Sequence, residues 1–347
     1  MFKIGTLIPT NRGVVPIEQF GFARQENEES ECKANLMLKT YEGDWNRCIY
    51  QTYKKSKGIK VKLTSKFSIE CSIDQIVLTP KGFKSLKKMK IGDEICCYID
   101  TYIDKSSYFT ETERIGYIPK QNNDIYIPKK ITEELASVYG ILISPSTEIR
   151  INDEDKLVIV CKDRIVNKIF IRYIRDLFQT KQKMVVQDDK YCRIFSPHII
   201  DFLEKTCGLE HKKQKIHQSV MQASRSIQMS FLNALIMSEK DNITGSLNIS
   251  YLYTIVSHDV SDQIEAMLDL YGYMPVIKKI QNEKTICIRK PVTEFFSDRL
   301  LDKMKKNSRQ TITYIEDIKE TKIDDYFGLI CEKDNYAIKN LIFWSKK

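Results

Sequence analysis

The sequence has few features that would place it in a membrane, outside the cell or around a structural metal ion. It contains no run of about 18 apolar residues, so no helix is predicted to span a bilayer. The opening residues, MFKIGTLIPT, are too polar and too short for a signal peptide. We therefore expect an intracellular protein, cytoplasmic or nuclear and not secreted. The 10 cysteines form no C-x-x-C pair, which argues against zinc and for reduced, buried thiols.

Length and charge set broad limits on what the chain can be. Its 347 residues suit two domains that each bury a core, and the 42% of hydrophobic residues is ordinary for a globular protein. The formal net charge of +9 is compatible with a nucleic-acid partner. Because the excess is spread along the chain, a solvated basic surface explains it about as well as a DNA-binding face does.

Both ends of the chain are predicted to form β structure. Short apolar runs such as IKVKLT and FSIECSI alternate with Gly, Asn, Asp and Lys before residue 128. Strand-like runs, among them TITYIEDIKE and YAIKNLIFW, return in the last part of the chain. The prediction is an α+β protein in which one β domain, built from residues 1–128 and 308–347, is split by an insertion at 129–307.

The insertion is predicted to be internally duplicated. An apolar helix, ITEELASVYGILIS, opens one series of elements, and IQMSFLNALIMS opens another roughly 95 residues later. Each series has the order αββαββα, so we expect repeats at 129–210 and 211–307. They would be related by a pseudo-two-fold axis, packed through their first helices, in a monomer.

Three segments of the β regions resemble the conserved blocks of the intein (Hint) family. They are GTLIPTNRGVVPIEQF from Gly5, SIECSIDQIVLTPKGFKSLKKMKIGDEI from Ser68, and ITYIEDIKETKIDDYFGLICEKDNYAIKNLIFWS from Ile312. Within the insertion, Leu135 to Ser146 and Phe231 to Lys240 resemble the two LAGLIDADG (DOD-type) homing-endonuclease motifs. The chain therefore resembles an intein with an endonuclease insert. This implies a mobile element, and the Lys-, Ile- and Asn-rich composition is compatible with a viral source.

The resemblance also implies that the splicing residues are degenerate. Met1 stands where the family has a thiol or hydroxyl nucleophile, and no upstream segment to be released is expected. The Thr-x-x-His arrangement becomes Ser72-Ile73-Asp74-Gln75, and glutamine cannot shuttle a proton near neutral pH. The other matching positions are Trp344 and Ser345 for the terminal His-Asn pair, and Phe327 and Asp334 for an upstream Asp and His. All four histidines, at 198, 211, 217 and 258, lie in the insert.

The endonuclease residues are altered as well. The family places one metal-binding carboxylate at the end of each motif helix, usually for Mg²⁺. Pro145 occupies the first position and Glu239 the second, so only Glu239 could ligate metal. Glu148 and Asp241 are nearby in sequence and leave a shifted metal site open. Without endonuclease activity, no cofactor is expected.

These patterns leave three functions open. The first is a non-enzymatic binder of double-stranded DNA, or a protein scaffold with protein partners, that has lost splicing and DNA cleavage. Basic residues on the predicted hairpins would contact DNA; they are Lys181, Lys183, Lys190, Arg193, Lys278, Lys279, Lys284, Arg289 and Lys290. The alternative is a site-specific double-stranded DNA endonuclease with an altered metal site. The third is a Hint-type autoprocessing protein, which the altered residues disfavour.

Overall fold

The protein combines helices and sheets, which confirms the coarse prediction of a mixed fold. The computed structural model of the chain describes residues 1–20, 29–40, 45–64, 68–99, 115–117, 125–152, 156–161, 163–180, 185–187, 191–207, 215–238, 250–255, 258–270, 276–280, 283–288, 309–333, 335–338 and 341–344. The chain folds into two compact units. The first, called the β unit here, comprises Met1–Ser106, Ile264–Ile277 and Ser297–Lys347; the mixed unit comprises Ser107–Gln263 and Lys278–Phe296. The domain boundaries at 128 and 307 stay predictions.

Strands from both ends of the chain share one ten-stranded sheet in the β unit. Its strands are β1 (Phe2–Lys3), β4 (Glu29–Lys39), β5 (Trp45–Leu63), β6 (Ser68–Ser72), β7 (Ile76–Thr79), β8 (Gly82–Ser85), β9 (Glu94–Ile99), β17 (Arg309–Cys331), β18 (Asn335–Ile338) and β19 (Leu341–Trp344). The order is β4-β5-β6-β1-β17-β9-β19-β7-β8, with β18 beside β19 and an additional pairing of β5 with β17. β2 (Leu7–Thr10) and β3 (Gly13–Pro16) form a separate hairpin, and two 3-10 turns lie at Ile17–Gln19 and Leu86–Lys88.

The β unit is held by a core that joins residues far apart in sequence. Phe2, Val61, Val77 and Phe343 are fully buried in one cluster. The long strands β5 and β17 pair antiparallel from Leu63 opposite Ile315 to Cys48 opposite Cys331. Pairing of this kind fixes which residues face the core, because a slip of one residue would turn every side chain to the other face.

The first half of the mixed unit follows the predicted order of elements. They are α1 (Glu133–Ile143), β10 (Thr147–Asn152), β11 (Lys156–Cys161), α2 (Arg164–Phe178), β12 (Val185–Gln187), β13 (Tyr191–Ile194) and α3 (Pro197–Cys207). Thr132 caps α1 by accepting a hydrogen bond from the Leu135 N–H, and Pro145 follows the end of the helix, where a further helical turn is disfavoured. The strands form one sheet in the order β10-β11-β13-β12.

The helices that open the two predicted repeats pack against each other. α5 (Arg225–Ser238) follows the short helix α4 (Gln218–Met221) and contacts α1. A Cβ atom added to Gly140 of α1 would lie 2.3 Å from the carbonyl oxygen of Phe231, so the two backbones approach closely there. The Ser137 hydroxyl also donates to the Ser230 carbonyl oxygen across the pair, at 3.4 Å.

The structure describes only part of the second predicted repeat, which begins with α5. β14 (Ser250–Ile255), α6 (His258–Leu270), β15 (Val276–Ile280) and β16 (Glu283–Ile288) follow α5, and the strands pair in the order β14-β16-β15. The predicted closing helix after residue 290 lies outside the described residues. The pseudo-two-fold LAGLIDADG-like domain therefore stays a prediction. No helix in the described ranges combines the length and apolarity needed to cross a membrane.

His217 caps α4 in its neutral form and makes the stability of this region depend on pH. Its Nδ1 accepts a hydrogen bond from the Ser219 N–H at 3.2 Å. Burial, and then the charge of Lys215, lower the pKa of His217 from its ordinary value. The folded chain favours the neutral imidazole ring, so the unfolded chain takes up the proton at a higher pH than the folded chain does. The contribution of neutral His217 to the free energy of unfolding is therefore lost as the pH falls below about 6.5.

We therefore expect the free energy of unfolding to fall more steeply under mild acid in the wild type than in His217→Asn. Asparagine is also a good N-cap, but it does not titrate. The difference between the two proteins should widen from about pH 7 to about pH 5 in denaturant titrations followed by helical circular dichroism. Parallel pH curves for the two proteins would show that His217 does not carry this dependence.

Candidate functional site

Three of the residues expected at the splicing centre meet in the β unit. Met1 immediately precedes β1, Ser72 ends β6, and Gln75 lies in the turn before β7. The Ser72 N–H donates to the Met1 carbonyl oxygen at 2.7 Å, and the Gln75 N–H donates to the Ser72 carbonyl oxygen at 2.9 Å. The Met1 nitrogen donates to Oε1 of Gln75. The backbone of residue 1 is thus held by two residues more than 70 positions away in the sequence.

The side chain of Met1 rests against a glycine of β17. A Cβ atom added to Gly328 would lie 2.3 Å from Oγ1 of Thr52 and 3.1 Å from Cγ of Met1. The neighbouring pair Phe2 and Phe327 face each other on β1 and β17. Any larger residue at 328 would therefore push against both Thr52 and Met1.

The groups that surround Met1 are poorly suited to proton transfer near neutral pH. Burial raises the pKa of the Cys71 thiol to about 12, so this thiol stays protonated near neutral pH. Burial also raises the pKa of Tyr336 well above its ordinary value, and its hydroxyl is hydrogen-bonded to Gln75. The Ser72 hydroxyl accepts a hydrogen bond from the Ser56 hydroxyl at 3.3 Å. A thioether, a buried thiol, an amide and two hydroxyl groups, those of Ser72 and Tyr336, are the functional groups brought together here.

The C-terminal strand leads toward the same place. Phe343 of β19 pairs with Val77 of β7. Since the strands are antiparallel, the chain runs from Phe343 through Trp344 toward the Gln75 end of β7. The rings of Phe2 and Phe343 meet edge-on with their centroids 4.8 Å apart. Two further predicted positions, Asp334 and Ser345, lie outside the described residues.

Asp74, a fourth predicted position, is exposed in the turn before β7, and Trp344 pairs with Asn335 of β18. Phe327 is buried in the core of the β unit, where a charged side chain would be costly. The proposed splicing roles of all these positions stay predictions.

The positions expected to bind metal are only partly described. Pro145 is exposed after α1, and Glu148 on β10 forms an ion pair with Arg150, with Oε1 and Nη2 2.7 Å apart. Glu239 and Asp241 lie outside the described residues. Within the ranges that are described, no group of three His, Cys, Asp or Glu side chains is placed to hold a metal ion.

One face of the four-stranded sheet is exposed and carries two arginines. Leu157, Cys192 and Ile194 are fully buried on the opposite face, toward α1 to α3. On the exposed face, the guanidinium of Arg193 lies over the ring of Tyr191, 4.7 Å from its centroid. The register places Arg150 opposite Val158, and Val158 opposite Arg193, so the two arginines share one row across the strands.

The predicted DNA-binding residues are distributed as follows. Arg193 lies on the exposed face of β13, Lys278 and Lys279 belong to β15, and Lys284 belongs to β16. The remaining five positions, Lys181, Lys183, Lys190, Arg289 and Lys290, lie outside the described residues.

Two residues that accompany Arg193 on this face, Arg150 and Tyr191, were not predicted from the sequence. The predicted set contains only basic residues of the later hairpins, whereas Arg150 lies on the first hairpin and Tyr191 is uncharged. The sequence signal for these two residues is the alternation of polar and apolar residues along β10 and β13, which the structure shows as alternating exposed and buried side chains. Side chains two positions apart in a strand share a face, so this alternation predicts which residues are exposed together.

No family model and no curated protein matches the chain. Among solved structures, it is similar to the gp41-1 intein, with a TM-score of 0.23 and 19% identity over 28% of this chain and 67% of that chain. It is also similar to the transcription factor IIB Mvu mini-intein (TM-score 0.24, 10% identity, 27% and 69% covered). A third neighbour is the DnaX mini intein from Spirulina platensis (TM-score 0.22, 15% identity, 30% and 70% covered). These neighbours are inteins, and each matches less than a third of the chain. A similarity with so low a TM-score and sequence identity does not indicate an activity.

Proposed function

We propose that the protein is an intein-like protein that has lost splicing and DNA cleavage and binds double-stranded DNA. The observation that carries the proposal is the exposed face of the four-stranded sheet, where Arg150 and Arg193 share one row. Arginine is the residue most suited to phosphate oxygens and to the edge of guanine, because its planar group donates several hydrogen bonds. A two-stranded ribbon or a sheet face of this kind can enter the major groove of DNA.

The surroundings of Met1 support the loss of splicing. Acyl transfer onto residue 1 needs a nucleophilic side-chain atom, and a base or acid that transfers a proton. Met1 offers a thioether, and Gln75, which holds its nitrogen, offers an amide. Ser72 donates its N–H to the carbonyl oxygen of residue 1, which supports a splicing position whose reactive groups have been replaced.

Pro145 supports the loss of DNA cleavage. The resemblance to the endonuclease family places a carboxylate at the end of each motif helix, and proline has no side-chain oxygen for a metal ion. With one of two carboxylates gone, in-line cleavage by a symmetric metal pair is disfavoured. The endonuclease with an altered metal site and the protein scaffold remain as outcomes of the test below.

The test follows DNA binding and the integrity of both partners in one experiment. The full chain is titrated into a fluorescent DNA duplex at several salt concentrations between about 50 and 200 mM, with Mg²⁺ present. We expect affinity to fall with salt, the duplex to stay intact, and the protein to keep its mass of 40.6 kDa. Arg193→Glu should weaken binding about tenfold or more and reduce the salt slope, because a phosphate contact becomes a repulsion.

Arg172→Glu is the matched control. Arg172 is exposed on α2, the layer that covers the opposite face of the sheet, and the change in net charge is the same. It should leave the affinity within about twofold of the wild type. Absence of salt-dependent binding would contradict the proposal and favour a scaffold. Cleaved DNA would favour the endonuclease, and a shortened protein would favour autoprocessing.

A further inference from the structure

The exposed face of the four-stranded sheet is unusually apolar for a surface open to water. Antiparallel sheets with one wet face usually carry polar residues there. Beside its two arginines and its tyrosine, this face instead carries Val158, Val160 and Val186, and Val186 is 40% exposed. The valines and the arginines therefore have to be explained together.

The strand register arranges the valines and arginines in a fixed pattern. One row across the sheet runs Arg150, Val158, Arg193, Val186. The neighbouring row places Val160 between Glu148 and Tyr191. With strands about 4.8 Å apart, Val158 and Val186 are about 9.6 Å from each other, which is close to three base-pair steps of about 3.4 Å.

The major groove of DNA offers one apolar group to such a surface. Every other group on the edges of the base pairs is a hydrogen-bond donor or acceptor, or a small C–H, and the C5-methyl of thymine is the exception. A valine buried against a carbonyl or an amino group would leave that group without a partner, whereas a valine against a methyl group removes apolar surface of both from water.

We infer that Val158 and Val186 contact thymine methyl groups, so that the protein selects A·T-rich duplex DNA. The inference rests on the proposed function and names its substrate class. Arg150 and Arg193 alternate with the valines, and Arg193 supplies the attraction to phosphate that a purely apolar face would lack. Glu148 faces the same side, and its charge is compensated by Arg150 at 2.7 Å.

Replacing thymine by uracil tests the inference directly. Uracil lacks only the methyl group and keeps the hydrogen-bonding edge. The full chain is titrated into an alternating dA·dT duplex and the matching dA·dU duplex, with fluorescence anisotropy as the readout. We expect about tenfold weaker binding to the dA·dU duplex, the loss expected from about two buried methyl groups.

A double variant assigns the effect to the valines. Val158→Ser with Val186→Ser removes all the γ-methyl groups of both side chains, whereas threonine would keep one that can still contact a thymine methyl group. It should bind the two duplexes almost equally, with its affinity for the dA·dU duplex near that of the wild type. Ile165→Ser is the matched control, because Ile165 is 62% exposed on α2, in the layer that covers the opposite face of the sheet. This variant should keep the wild-type preference for thymine.

The outcomes separate the inference from the proposal beneath it. Salt-dependent binding with equal affinity for the two duplexes would overturn the inference and leave DNA binding standing. A preference for thymine that persists in the double variant would also overturn it. Binding to neither duplex would overturn both.

Discussion

Gly58→Ala should lower the free energy of unfolding of the β unit by about 3–5 kcal/mol, the range seen when a large buried aromatic side chain loses its packing. A Cβ atom on Gly58 would lie 1.6 Å from the hydroxyl oxygen of Tyr326 and 2.6 Å from its Cζ. Tyr326 is fully buried, so its ring has no free space to move into. Alanine is more favourable than glycine within a strand by about 0.5–1 kcal/mol, which is too little to offset the clash.

The measurement uses tryptophan fluorescence during denaturant titration. Both tryptophans of the chain, Trp45 and Trp344, belong to the β unit, so the signal reports on that unit. Tyr326→Ala provides the control background. Once the ring is gone, only Oγ1 of Thr321, 2.3 Å from the added Cβ atom, remains in the way, and its small side chain can rotate aside. Gly58→Ala should then cost no more than about 1 kcal/mol, and the non-additivity of the two changes should reach about 3 kcal/mol. Equal effects of Gly58→Ala in both backgrounds would show that the ring is not the obstacle.

Gly140→Leu should prevent α1 and α5 from packing, and Gly140→Ala should lower the stability of the mixed unit by about 1–3 kcal/mol. A Cβ atom on Gly140 would meet the carbonyl oxygen of Phe231 at 2.3 Å and the nitrogen of Leu235 at 3.0 Å. Both are backbone atoms, so the helices themselves must separate. Alanine favours a helix over glycine by about 1 kcal/mol, and the range given is what remains after that gain.

Circular dichroism at 222 nm follows this unit, because helices α1 to α5 all belong to it. Ser137→Ala is the matched control, since Ser137 lies on the same side of α1, one turn earlier. Its hydroxyl donates to the Glu133 carbonyl oxygen at 2.8 Å, and its loss should cost no more than about 1 kcal/mol. If Gly140→Ala were as stable as the control, the close approach of the helices would not matter for stability.

The candidate sites were predictable in part. Ser72 and Gln75 could be named from the sequence because they form one short stretch with a recognisable spacing. That Gln75 holds the nitrogen of Met1 could not, because the two residues are 74 positions apart and meet only through the pairing of β1 with β6. Arg193 was named as a basic hairpin residue. Arg150, its partner in the same row, was missed because the two are joined only through β11.

The sequence by itself determined the local elements: helices at α1, α2, α3 and α5, the mixed fold, and β strands at both chain ends. These follow from periodicity and capping, which act over a few neighbouring residues. Only the tertiary structure decided which strands are neighbours, that Tyr326 fills the space left by Gly58, and that two arginines alternate with valines across one face. Those features depend on the register between strands that are distant in the sequence. The packing of whole layers of side chains fixes this register, so no short sequence motif predicts it.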